Sequence, residues 1–222
     1  MSSPNSDLSN RDVSNSDLSN SDVSNRDVSG VILNGGKARR MRGVDKARLA
    51  VDGSSSIAET QLALLRDRCT SIAMVVADES QTQDLDVEAI YDRVGGLGPI
   101  DGIAAALAWT PTPWVLVLAC DMPDVHPDVL DLLLASRSEG GDIIAMAPGG
   151  RVQPLLALYH QRLLPVLDAQ LAKGELRATR LLQNPPAGTS VHFLDEAEIL
   201  RVDPETKSFR NVNRPEDLSQ SS

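Results

Sequence analysis

The chain has 222 residues (23.8 kDa), with 21 Lys and Arg against 31 Asp and Glu, a formal charge of −10 and a pI near 4.7. That balance excludes a broadly basic nucleic-acid binder, since affinity for phosphate backbones comes from clustered Lys and Arg. No apolar run reaches the ~20 residues that span a bilayer, and no basic segment followed by an apolar one opens the chain as a secretory signal would.

Residues 1–28 hold nine Ser, five Asn, five Asp and two Arg, with only six apolar residues. From Ser6 they read SDLSN, RDVSN, SDLSN, SDVSN, RDVSG, a period of five with Leu or Val at each third place. The pattern resembles pentapeptide repeats, in which each unit forms one side of a β-helical coil. Five units make little more than one coil, and stacked repeats need neighbours to bury their apolar face. One Leu or Val in five cannot offset the ordering entropy, so disorder is the expectation. Residues 29–218 are expected to be one domain, with 219–222 a short C-terminal tail.

The body alternates strand and helix signals. A β-branched run at 31–33 (VIL) is followed at once by Gly35 and Gly36. The spacing predicts a helix over 57–68 and a buried strand at 72–77 (IAMVVA). The Ala-rich stretch 102–109 predicts a helix, stopped by the TPTP of 110–113. The strongest strand signal is WVLVLAC (114–120), ending at Asp121. Pro127 opens a helix through Ala135, and IIAMA (143–147) is another strand. A long helix is predicted over 159–173, ahead of Gly174, with strands near 191–194 and 199–202. This alternation predicts an α/β fold: a doubly wound, Rossmann-like arrangement with a mostly parallel sheet. Ligands of such sheets bind outside the carboxyl ends of the strands.

The loop after the first strand is the most informative stretch. Paired glycines let backbone N–H groups approach a phosphate chain, although a Gly-Gly pair alone also fits a plain turn. Arg40 and Lys46 would neutralise phosphate charge from two sides. The stretch is no Walker A loop: Gly30 and Gly35 have the spacing, but Gly36 stands where the Lys belongs and the strand occupies the gap. GxGxxG is absent there. The two cysteines, Cys69 and Cys120, form no CxxC pair, which argues for a reducing, cytoplasmic setting. His126, His160 and His192 have no metal spacing, and no Ser–His–Asp or Cys–His arrangement is legible.

Residues 33–46, LNGGKARRMRGVDK, resemble the molybdenum cofactor guanylyltransferase family, whose pattern is close to LAGGxxxRMGGxDK. Asn34 stands for the usual Ala and Arg42 for Gly. The resemblance recurs at GPIDG (98–102), at CDMP (120–123) and at NVNRPEDL (211–218), where Arg214 replaces Thr. It spans about 30–218 and leaves the N-terminal tail outside. It implies a nucleotidyltransferase that passes GMP from GTP to the phosphate of molybdopterin, with Mg2+ as cofactor. Leu33, Asn34, Gly35, Gly36, Lys46, Asp92, Gly98 and Gly102 would then bind the nucleotide. Arg40, Lys46 and Asp121 would be catalytic, and Asp121 with Asn213 would hold the metal. Other proteins of molybdenum-cofactor biosynthesis and molybdoenzyme chaperones follow as partners; nucleic acid and membrane do not.

Each residue also has a plainer reading. Asp121 fits a helix cap, Asn213 an Asx turn before Pro215, and Asp92 a solvated loop carboxylate. The segment 153–159 resembles the part of the family that faces the pterin, and Arg151, Lys173, Arg177 and Arg180 would meet its phosphate, although each also fits a solvated surface charge. Three rival functions remain open at this point. They are a related transferase using CTP or a sugar phosphate, a non-catalytic nucleotide-binding regulator, and an interaction protein working through its tail.

Overall fold

A computed structural model describes residues 27–34, 40–41, 44–50, 55–94, 97–212 and 217, with the backbone alone at 40–41 and 44–46. The elements run β1 (Val28–Asn34), β2 (Arg40–Met41), β3 (Val44–Asp45), α1 (Ile57–Arg66), β4 (Ser71–Val76), β5 (Glu88–Tyr91), α2 (Pro99–Trp109) and β6 (Trp114–Ala119). They continue with α3 (Pro127–Ala135), β7 (Ile143–Ala145), β8 (Leu156–His160), α4 (Leu164–Ala172), α5 (Ala178–Gln183), β9 (Val191–Phe193) and α6 (Glu196–Val202).

Seven strands form one sheet in the order β5-β4-β1-β6-β8-β7-β9. Strands β5, β4, β1 and β6 are mutually parallel, and β7 pairs in parallel with β9. Only β8 is reversed in this sheet, lying antiparallel to β6 and β7. The expected doubly wound, mostly parallel α/β sheet is therefore what the chain forms.

The period-two pleat splits the core cleanly. In β1, Val28 and Ile32 face one cluster with Leu62 and Leu65 of α1 and Leu130 and Leu133 of α3. Val31 and Leu33 face the other, with Ile100, Ile103 and Leu107 of α2 and Leu167 of α4. All seven residues of β1 are buried, as a central strand covered on both faces requires.

Three expectations need correction. The helix predicted over 159–173 starts later. Residues 156–160 form β8, because LALYH supplies apolar side chains to both core faces and its backbone pairs with β6. The helix begins at Leu164, with a proline in its first turn. The strand predicted at 199–202 is α6. Asp195 caps it by accepting from the Ala197 N–H at 2.8 Å, and the helix buries Ile199 on the α3 side. Finally, β1 begins at Val28, so the last repeat unit runs into the sheet, and Asp27 pairs with Arg137. The repeats over 1–26, the glycines Gly35 and Gly36, and Asn213 lie outside the described residues. No helix among the described residues is long and apolar enough to cross a membrane.

Candidate active site

The strand order reverses between β1 and β6, because β1 continues outward to β4 and β6 to β8. The chain leaves β1 toward β4 and β6 toward the opposite edge of the sheet, and ligands of open α/β sheets bind at such a switch point, outside the carboxyl ends of the strands. The Leu33 carbonyl accepts the Cys120 N–H at 3.2 Å, carrying the pairing one residue beyond β6 to the turn that bears Asp121. Asn34, fully buried, closes β1 on the α1 face. Its carbonyl accepts from Gln81 Nε2 at 3.4 Å, which ties the end of β1 to the segment after β4. Asp78, at the end of β4, is used as a cap, accepting from the Ser80 N–H at 2.9 Å.

Four of the expected nucleotide residues converge on the α2 face. Gly98 caps the N-terminus of α2 with φ 85°, a conformation that glycine adopts without strain, and Pro99 follows at the first helical position. A Cβ on Gly102 would lie 3.3 Å from Leu33 Cδ2 and 3.5 Å from Asp92 Oδ1. The missing side chain thus lets α2 pack against the end of β1 and the carboxylate that follows β5. Asp92 directly succeeds Tyr91, the last residue of β5, so it stands at the carboxyl edge of the same four strands.

The loop between β1 and α1 contains a two-stranded ribbon in which Arg40 pairs with Asp45 and Met41 with Val44. Lys46 opens a 3-10 turn through Arg48. This turn is anchored: Ala47 is fully buried, the Ile57 N–H donates to the Leu49 carbonyl at 3.0 Å, and Arg48 meets Asp84 at 3.0 Å.

Asp121 is half-buried, and its turn is held through the main chain. The Ala119 N–H donates to the Leu155 carbonyl at 2.9 Å, and the Asp121 carbonyl accepts the Val212 N–H at 2.7 Å. The segment 153–155 is thereby placed beside Asp121. His126 caps α3, accepting from the Asp128 N–H at 3.3 Å, so the cap at this helix is the histidine. Cys120 is buried, and Cys69 and Cys120 form no disulfide. Arg151, Lys173, Arg177 and Arg180 are exposed, and Arg180 pairs with Glu175 at 3.3 Å.

The structure adds residues that the sequence reading missed. Asp101, fully buried in the first turn of α2, accepts from the Arg93 N–H at 3.2 Å and the Val94 N–H at 3.2 Å, shaping the loop just after Asp92. Arg210 donates to Asp124 at 2.8 Å through Nε, and the Ser208 hydroxyl accepts the His126 N–H at 2.9 Å. These contacts bind the segment 203–212 along the Asp121–Asp124 turn. The signal for Asp101 was its charge within an otherwise apolar helical start; Arg210 carried none.

A mostly parallel sheet with a switch point, Gly98, Gly102 and Asp92 on the α2 side of it and Asp121 on the turn after β6, is the frame of a nucleotidyltransferase, and the comparisons with known proteins assign the chain to that class. A family model for the MobA-like NTP transferase domain matches residues 30–189. The chain belongs to that family. It is 34% identical over 195 residues to a probable molybdenum cofactor guanylyltransferase of Chloroflexus aggregans, covering 85% of this chain and 90% of that one. It is 32% identical to the molybdenum cofactor guanylyltransferase of Photobacterium profundum, covering 86% of this chain and 93% of that one. Among solved structures, molybdopterin-guanine dinucleotide biosynthesis protein A of Archaeoglobus fulgidus superposes with a TM-score of 0.70 at 28% identity, over 86% of this chain and 95% of that one. The fold alone is shared with 2-C-methyl-D-erythritol 4-phosphate cytidylyltransferase of Thermus thermophilus, at a TM-score of 0.61 and 20% identity, over 86% of this chain and 95% of that one.

Proposed function

We propose that this protein transfers GMP from GTP to the terminal phosphate of molybdopterin, releasing pyrophosphate, in the cytoplasm. The observation that carries the reading is that Leu33, Asp92 and Gly102 meet on the α2 side of the switch point while the Leu33 carbonyl accepts the N–H of Cys120, next to Asp121. The names of the relatives supply the substrates.

The chemistry needs no protein nucleophile. An oxygen of the acceptor phosphate attacks the α-phosphorus of GTP. The new P–O bond forms as the bond from the α-phosphorus to the bridging oxygen breaks, and its electron pair leaves with pyrophosphate. Catalysis is then positioning and charge neutralisation. The Gly35–Gly36 amides and Lys46 cradle the β- and γ-phosphates, Arg40 neutralises the charge that grows on the leaving group, and Asp92 accepts from the guanine edge or the ribose hydroxyls. Loop 153–155 faces the pterin.

Asp121 is the residue that would hold Mg2+, with Asn213 as second ligand. The donor chemistry fits: Asp121 is a half-buried carboxylate on the turn that follows β6, and Mg2+ binds through one or two carboxylates, waters and substrate phosphates. Bound there, it would neutralise triphosphate charge.

The test is pyrophosphate release from each nucleoside triphosphate with Mg2+ and molybdopterin. Turnover with GTP alone is expected, abolished in Asp121→Ala and Lys46→Ala variants that remain folded. Equal turnover with CTP, or a fully active Asp121→Ala variant, overturns the reading. Binding of GTP without turnover marks a regulator instead.

A further inference from the structure

Gln61 lies on the buried face of α1, 1% exposed, where the surrounding positions are Ile57, Ala58, Leu62 and Leu65. Its Nε2 donates to the Ala119 carbonyl at 2.8 Å and to the Met122 carbonyl at 2.9 Å. Those carbonyls flank Cys120 and Asp121, and the Met122 N–H also donates back to the Ala119 carbonyl at 3.3 Å. Carbonyls only accept, so the amide has to present its nitrogen here. Its own buried Oε1 has no hydrogen-bond partner among the described residues, so the orientation that serves the turn leaves an acceptor unsatisfied. The helix that carries this side chain is fixed at its start by a capping box between Ser56 and Glu59.

We infer that Gln61 is a positioning residue for Asp121: its amide clamps the 119–122 turn and holds the carboxylate where the metal binds. The inference rests on the metal reading of Asp121. The other main-chain ties of the turn, from Leu33, Leu155 and Val212, come from backbone groups that a change of side chain, other than to proline, leaves in place. Gln61 contributes a side chain to the turn across 58 residues of sequence, with two donors that a single substitution removes together.

The experiment titrates Mn2+ into the full chain with a non-hydrolysable GTP analogue and reads the enhancement of water-proton relaxation by protein-bound Mn2+. Gln61→Met keeps the volume and removes both donors. It should raise the half-saturating Mn2+ concentration about tenfold, the size expected for the net loss of one to two hydrogen bonds. With GTP and molybdopterin, kcat measured at low Mg2+ should fall by the same factor and recover at saturating Mg2+. A purely structural residue would leave that metal dependence unmoved. Should Gln61→Met not fold, Gln61→Asn takes its place, since it keeps the amide and loses one methylene of reach. Asp121→Asn is the control. If it binds Mn2+ as the wild type does, the metal reading falls and this inference with it. If it loses Mn2+ while the folded Gln61 variant binds normally, the clamp alone is overturned.

Discussion

The main-chain N–H of Val212 donates to the carbonyl of Asp121 at 2.7 Å, joining two motifs that lie 91 residues apart in sequence. Val212 is fully buried, and the residue after it is Asn213, the proposed second metal ligand. The bond sets where the closing motif enters the site. Val212→Pro removes the donor and with it this hydrogen bond to the Asp121 carbonyl, a cost of about 1–3 kcal/mol. Its kcat should fall roughly tenfold or more. Val212→Ala keeps the N–H, so it should lose thermal stability with little change in kcat. Steady-state kinetics beside thermal melts separate the two; equal kcat in both variants would contradict the coupling.

Much of this arrangement was legible in the sequence for local reasons. Continuous apolar runs marked β1, β4, β6 and β7, Ala content marked the body of α2 from Gly102 on, and Pro127 marked the start of α3. What failed had two causes, a strand partner distant in the chain and a local helix cap. Residues 159–160 read as the start of a helix until β6 supplies the opposing backbone, and 199–202 read as strand until Asp195 is recognised as a cap. The same holds for the site. Gly98, Gly102 and Asp121 stand out in the sequence as candidates because glycines and a carboxylate at strand or helix ends have a restricted chemistry. Gln61 and Asp101 were not, because their value lies in carbonyls and amides that only the folded chain brings to them.

Asp101 bears on nucleotide affinity. Its carboxylate accepts the Arg93 and Val94 N–H groups and so sets the path of the chain after Asp92. Asp101→Leu strands those donors beside a buried apolar side chain. Stability should fall by about 1–3 kcal/mol, and KM for GTP should rise more than kcat falls. Asp101→Asn retains an acceptor and should lie between that variant and the wild type. A leucine variant with unchanged KM would show that the loop does not shape the base and ribose subsite.

His160 gives the fold an acid-sensitive element away from the site. Burial is the main cause that holds its imidazole below the ordinary histidine range, the Arg162 guanidinium acts in the same direction, and Asp142 opposes them. Its Nδ1 accepts the Arg162 N–H at 3.1 Å, and its ring meets Trp114 edge-on at 4.9 Å between centroids. The folded state therefore favours the neutral ring. That contribution is complete above the unfolded value of about 6.5 and is lost as pH falls through it toward the lower folded value. The melting temperature should drop between about pH 7 and 5, and His160→Asn, whose oxygen can replace Nδ1 as the cap acceptor, should shrink that drop. An identical pH profile in the variant would rule this out.

Gly30 shows which glycine of the first strand serves packing. It lies inside β1 on the α1 face, and a Cβ there would sit 2.9 Å from Leu65 Cδ2 and 3.0 Å from Cys69 Sγ. Both contacts are to side-chain ends, so the neighbours can shift, but within a filled core. Burial pushes the Cys69 thiol up to about 12, so at neutral pH it packs as an uncharged group. Gly30→Ala should cost about 1–3 kcal/mol of stability by overpacking. Its kcat and KM below the melting transition should stay those of the wild type, since the strand end at Leu33 and Asn34 lies three to four residues on. Adding Cys69→Ala removes one of the crowding atoms and should recover part of the loss. Chemical denaturation of the single and double variants measures this directly, and a double variant no more stable than Gly30→Ala alone would mean that the Leu65 methyls carry the clash.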